Sequence, residues 1–194
     1  AIGGLVAISF AGLMDVFQLP IPLAVLLGLL IGLAAGLFNG VIIAFTGISA
    51  FIITLASLSV FKGINLGITE AQPFYGVAES VKAFGNSSLL GTFPLLILPT
   101  VVCLVGVWVL LNRMRYGRHL LAVGASSTAA SLVGISVRNI VIGTHALSGL
   151  LAAVAGMMVV ARLQIGQPTI GDDWLILSFA APVIGGAVLA GGHV

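Results

Sequence analysis

The chain has 194 residues, of which 60% are hydrophobic and 6% charged, with seven Lys plus Arg against five Asp plus Glu and a mean hydropathy of +1.28. A water-soluble domain of this length needs roughly 25% charged residues to solvate its surface, so most of this surface must face lipid. The net charge of +2, with no basic patch interleaved with aromatics, excludes nucleic-acid binding, and the single Cys103 excludes a disulfide framework or a cysteine-based metal site.

The positions of the charges divide the chain into uncharged runs, to be compared with the ~20 apolar residues that cross a bilayer as a helix. Residues 1–14 carry no formal charge, and residues 16–61 form an uncharged run of forty-six, long enough for two helices. Gly36, Asn39, Gly40, Thr46, Gly47 and Ser49 mark the break, which predicts helices at about 20–45 and 48–66 joined by a short turn. Glycine recurs at Gly28, Gly32, Gly36 and Gly40 on one face of the first, a smooth groove for close helix packing. The segment from Gly67 to Gly91, with Gln72, Glu79, Lys82 and Asn86, is longer than a connector requires and is expected to carry a short helix.

The run from Leu89 predicts a span ending at Trp108 and Arg113 and bent at Pro99. Residues 119–137 are apolar enough to resemble a span, but their serines and glycines and the flanking Arg118 and Arg138 predict a loop holding a short helix. Residues 139–162 predict another helix, with Ser148, Gly149, Ala152, Ala153 and Gly156 forming a small-residue face. The last run, Trp174 to Val194, is interrupted by Pro182, Gly185, Gly186, Gly191 and Gly192 and is read as a broken or re-entrant element.

The fold class expected is therefore all-α, a polytopic membrane protein of about five hydrophobic segments forming one transmembrane domain over 1–194. Arg113, Arg115, Arg118 and Arg138 bracket a loop without acids, which places 113–138 in the cytoplasm and, by alternation, the 66–92 loop and residues 163–173 outside. Both ends run out in apolar sequence, without a starting Met, a basic leader or a polar tail, and read as those of a fragment.

No catalytic constellation is legible. The three histidines, His119, His145 and His193, lack metal-ligand spacing; no phosphate loop exists; all five acids fall at predicted ends or loops, so an ion-coupled site deep in a span has only His145 as a candidate. The expectation is a non-enzymatic protein with no metal and no cofactor of its own.

Several blocks resemble one family. Gly36-Leu-Phe-Asn39-Gly, Ile48-Ser-Ala-Phe51-Ile-Ile-Thr54-Leu, Arg115-Tyr-Gly117-Arg118, Ala129-Ala130-Ser-Leu-Val-Gly134, Leu147-Ser-Gly149-Leu, Gln167-Pro-Thr169 and Ala181-Pro-Val-Ile-Gly185-Gly186 are similar, in order, to permease subunits of bacterial ABC importers for ribose, xylose and related sugars. The chain departs from that pattern at Thr128, where an acid is usual, and at Gly124-Ala-Ser, leaving the loop less polar. The resemblance implies a multi-pass protein of the bacterial inner membrane, taking up a monosaccharide or similar neutral polyol by alternating access. It implies as partners a cytoplasmic ATPase that uses ATP and Mg, a second permease subunit in a homo- or heterodimer, and a periplasmic or lipid-anchored substrate-binding protein. Arg115, Gly117, Arg118, Ser126, Thr128, Ala129, Ala130 and Gly134 would form the ATPase-coupling loop, and Asn39, Phe51, Thr54 and Ser57 could line the path. Gln72, Glu79, Lys82, Gln167, Asp172 and Asp173 would meet the binding protein. A permease for branched-chain amino acids or nucleosides, and an ion-coupled carrier or channel, remain open alternatives.

Overall fold

The computed structural model describes residues 1–89 and 93–185. Its elements are α1 (Ile2–Asp15), α2 (Ile21–Thr46), α3 (Ala50–Thr69), α4 (Glu79–Asn86), β1 (Ser88–Leu89), β2 (Phe93–Pro94), α5 (Ile97–Arg113), α6 (Arg115–Ala125), α7 (Ser127–Leu132), α8 (Val137–Leu163) and α9 (Trp174–Ile184). The two short strands pair antiparallel, Leu89 opposite Phe93, and the rest is a helical bundle.

Among the described residues three helices are long and apolar enough to cross a membrane: α2 with 26 residues, α3 with 20 and α8 with 27. At 1.5 Å per residue they measure about 30 to 40 Å, against a hydrocarbon core of ~30 Å. Pro22 lies in the first turn of α2, where a missing N–H breaks no helical bond. Gly47 ends that helix in the left-handed region (φ 69) and returns its N–H to the Ile43 carbonyl at 3.1 Å. The α2–α3 turn therefore needs only three residues between the helices.

The expectation of about five hydrophobic segments is only partly met. The run from Leu89 divides: a hairpin comes first, and α5 holds 17 residues before turning through 75° into α6. Pro99 does not bend this helix, because it is the third residue of α5 and so falls in the first turn, before any N–H is required. Helix α1, 14 residues and about 21 Å long, is too short to cross alone, yet most of its residues from Gly3 to Met14 are buried, against α8, α2 and α3. Its Ala7, Phe10, Ala11 and Met14 join Val160, Ala161, Ile170 and the outlying Val77, Val81 and Leu96 in the main apolar core. Of the last run, α9 is described as far as Gly185; the glycine pairs that suggested a break, from Gly186 onward, lie outside the described residues.

Contacts sort the connecting segments into two rims. On one, Phe74 and Gly166 exchange backbone hydrogen bonds at 2.9 Å each way, tying the 66–92 segment to the segment after α8, while α4 rests on the end of α8 with Gly85 against the Ala161 carbonyl. On the other, the Arg138 guanidinium stands 5.0 Å from the centroid of the Phe45 ring, joining the start of α8 to the end of α2. The 113–138 segment on this second rim contains two helices, α6 and α7, rather than the one short helix expected. Helix α6 escaped notice because Gly117 and Gly124 and its charged residues mask an apolar stripe at Leu120 and Val123.

Candidate functional site

The α2–α8 seam is built on absent side chains. A Cβ on Gly32 would lie 2.5 Å from Ala153 Cβ and 2.7 Å from the Gly149 oxygen; one on Gly36 would collide with the His145 oxygen and lie 3.1 Å from Gly149 Cα. Gly40 faces His145 Cβ and Ile142 Cα at 3.0 Å, and Gly28 faces Met157 Sδ at 3.1 Å. Gly149 is closed in by Gly32 and Gly36, so the two backbones interlock reciprocally. In lipid, where apolar burial drives little association, this density of van der Waals contact is the main attraction between helices.

Beside the seam stands a polar pair. Asn39 and Ser57, 4% and 5% exposed, bond to each other: Ser57 Oγ donates to Asn39 Oδ1 at 2.5 Å, linking α2 to α3. The Thr54 hydroxyl turns back to the Ala50 carbonyl at 2.8 Å, and Phe51 lines an apolar cavity of about 430 Å³ with Leu175, Ile176, Ala180 and Val183 of α9. The four residues assigned from sequence to a path thus lie on α2 and α3, two of them joined to each other and two turned elsewhere. Asn65, about two turns beyond Ser57 on α3, is also buried, and its Oδ1 has no hydrogen-bond partner.

On the first rim, Lys62 Nζ reaches Asp172 Oδ2 at 2.8 Å, drawing the segment before α9 onto α3. Lys82 and Glu79 approach at 3.9 Å on α4, Gln167 Oε1 accepts from the Thr169 hydroxyl at 3.5 Å, and Gln72, Glu79 and Asp173 are exposed. The six residues therefore share a rim without forming one cluster, and Asp172 is committed to an intramolecular pair.

On the second rim, Arg115 and Arg118 are exposed and Gly117 is buried against the Leu110 and Leu111 backbone, where a Cβ would be 2.6 Å from Leu111 Cα. That contact permits the sharp α5–α6 elbow. Ser126 caps α7 by accepting the Ala129 N–H at 3.2 Å, a normal use of serine at a helix start. Thr128 and Ala129 face outward, Ala130 is 3% exposed, and Gly134 takes φ 82, which suits glycine alone. Leu132 and Val133 project outward at 83% and 76% exposure.

Sequence reasoning missed three features: the Lys62–Asp172 pair, the outward Leu132 and Val133, and Tyr116, whose hydroxyl donates to the Ile140 carbonyl at 3.1 Å and lies 3.2 Å from Thr144 Oγ1. No local signal marks the last, because Tyr116 meets Ile140 and Thr144 across 24 and 28 positions. Among the described residues no three His, Cys, Asp or Glu gather as a metal would require, and His145 Nδ1 bonds within its own helix, 2.9 Å from the Val141 oxygen.

Over residues 1–194 the chain matches the family described as the branched-chain amino acid transport system / permease component. The chain belongs to this permease family. The permease is 38% identical over 197 residues to the ribose import permease protein RbsC of Bacillus subtilis, covering 100% of this chain and 61% of the relative. It is 36% identical over 198 residues to the ribose import permease protein RbsC of Escherichia coli K12, covering 99% and 60%. To the D-allose transport system permease protein AlsC of the same organism it is 34% identical over 154 residues, covering 79% and 47%. The permease thus spans at most about three fifths of the length of these relatives. No solved structure matches it. Family membership together with the apolar spans makes it a multi-pass inner membrane protein.

Proposed function

We propose that this permease is the membrane-spanning subunit of an ATP-driven importer and moves a monosaccharide or similar neutral polyol inward by alternating access, without chemistry of its own. Its partners are a cytoplasmic ATPase that consumes ATP with Mg, a second permease subunit, and a substrate-binding protein that delivers cargo to the first rim. The ribose and allose names belong to the relatives; they support a sugar for this chain because the relatives align along most of its length.

The observation that carries the reading is the α6–α7 segment. A small helix capped by Ser126 presents Leu132 and Val133 outward while Ala130 seats it inward, the arrangement expected of a knob that a soluble partner grips. The 113–138 loop, rich in Arg and free of acids, is read as cytoplasmic, so the knob faces the compartment that supplies ATP. Among the described residues, no acid lies in the interior of α2, α3 or α8, which disfavours an ion-coupled carrier. The family description favours a second reading, a branched-chain amino acid as cargo.

The test is reconstitution of the complete permease in vesicles with its ATPase and binding protein. Uptake of labelled ribose or allose that requires internal ATP and survives collapse of ion gradients is the expected result. Uptake of leucine instead would move the substrate class, and uptake that tracks the ion gradient would overturn the importer reading.

A further inference from the structure

Tyr116 joins the α6–α7 segment to the spanning bundle at one turn of α8. Its hydroxyl donates to the Ile140 carbonyl at 3.1 Å and sits 3.2 Å from Thr144 Oγ1, and it occupies space that only a glycine leaves: a Cβ on Gly143 would lie 2.6 Å from the phenol oxygen. Among the described residues no other side chain of α6 or α7 makes a hydrogen bond to α2, α3 or α8. The same turn is held from its other side by α2, where Gly40 meets Ile142 and His145, and Gly36 meets the His145 oxygen. One residue before Gly40, Asn39 carries the bond to Ser57 of α3. A continuous set of close contacts therefore runs from the surface helices through Tyr116 and residues 140–145 to the buried polar pair.

We propose that Tyr116 is a positioning residue: its hydroxyl passes displacement of the α6–α7 segment to α8 and, through the glycine seam, to α2 and α3 as one body. This rests on the reading of α6–α7 as the surface gripped by the ATPase. A packed, interlocked seam moves as a unit rather than deforming gradually, so the joint at Tyr116 is where slack would uncouple the two parts.

The experiment uses the complete permease with its ATPase and binding protein in nanodiscs. Tyr116→Phe keeps the ring beside Gly143 and removes the hydroxyl. It is expected to leave ATPase association intact and to lower the stimulation of ATP hydrolysis by loaded binding protein by about two- to tenfold, the range implied by one hydrogen bond. Thr144→Val, which leaves the Ile140 carbonyl as acceptor, should lose less, and the double variant should be no worse than Tyr116→Phe alone. Spin labels at Leu121 and Thr46 supply a readout that mere destabilisation would not move. Their separation should be the same with and without nucleotide in the wild type and should become nucleotide-dependent in Tyr116→Phe. An ATP-coupled wild type beside a Tyr116→Phe variant with unchanged stimulation and unchanged separation would overturn the inference alone. A wild type whose uptake ignores ATP would overturn the importer reading, and this inference with it.

Discussion

The Ser57 hydroxyl donates to Asn39 Oδ1 at 2.5 Å across the α2–α3 interface, with both residues almost fully buried. Helix α2 is thereby fixed on two faces at nearly the same height: by glycine contacts to α8 on one, and by this bond to α3 on the other. The pair is the only side-chain hydrogen bond between these two spans among the described residues, so rotation of α3 against α2 has to break it.

The two ends of that bond are not equivalent. Ser57→Ala should cost about 1 to 3 kcal/mol, because it leaves a buried amide short of a partner. Asn39→Leu combined with Ser57→Ala should recover most of that loss by removing both polar groups. Thermal unfolding of the purified single and double variants gives the comparison, and a double variant worse than Ser57→Ala would show that the bond is not what the pair contributes.

Gly32→Leu and Gly36→Leu are expected to prevent assembly of the bundle, since backbone atoms of α8 stand where the new side chain must go; overpacking of this kind costs at least ~1 to 3 kcal/mol. Gly106→Leu is the control, because nothing lies within 4 Å of its would-be Cβ. Yield of monodisperse protein in detergent separates the two cases: loss at the seam and near-normal recovery at Gly106.

Ala130→Glu and Gly134→Arg address the α6–α7 segment, proposed above as the surface the ATPase grips, from opposite sides. The first forces a carboxylate into the buried seat of α7 and should unseat that helix. The second projects into open space but must hold a left-handed φ of 82°, a strain of about 1 to 2 kcal/mol. Both should lower uptake per ATP hydrolysed in the reconstituted importer, Ala130→Glu by the larger factor. Wild-type ratios in both would remove that segment from the coupling route.

Lys62→Glu should release the segment before α9 from α3, and Lys62→Glu with Asp172→Lys should draw it back. Both partners are partly exposed, so the change in stability should stay within ~1 kcal/mol. The informative measurement is the protection of residues 167–174 from amide exchange, lost in the single variant and restored in the double.

How much of this was legible depended on the range of the interaction. Helices α2, α3 and α8 were readable to within a few residues because α2 is a long uncharged run ended by Gly47, α8 is one with Arg138 and Arg162 near its two ends, and α3 follows the Gly47 turn with Lys62 as its one charge. The 14 residues of α1 were too short to count as a span, although their small residues make them central to the core. Pro99 misled because a proline bends a helix only when it lies inside it, and the boundary at Ile97 was set by the hairpin before it. The polar residues Asn39 and Ser57 were visible as anomalies in apolar runs, but nothing in one sequence says that they face each other. The Lys62–Asp172 contact spans 110 positions, and Tyr116 finds its partners 24 and 28 residues away; such pairings are set by tertiary packing, which leaves no local pattern.

The reciprocal bonds between Phe74 and Gly166 have a mechanical consequence. A clasp at one rim makes that rim the fulcrum, so any tilt of the long helices as a body is smallest there and largest at the far rim. With α8 about 40 Å long, a tilt of about 10° would carry its distant end through about 7 Å, while the fastened end hardly moves. Pinned in this way the interlocked body works like a lever, and the travel is concentrated at the rim that carries α6 and α7, with the Arg138–Phe45 contact moving as part of that body.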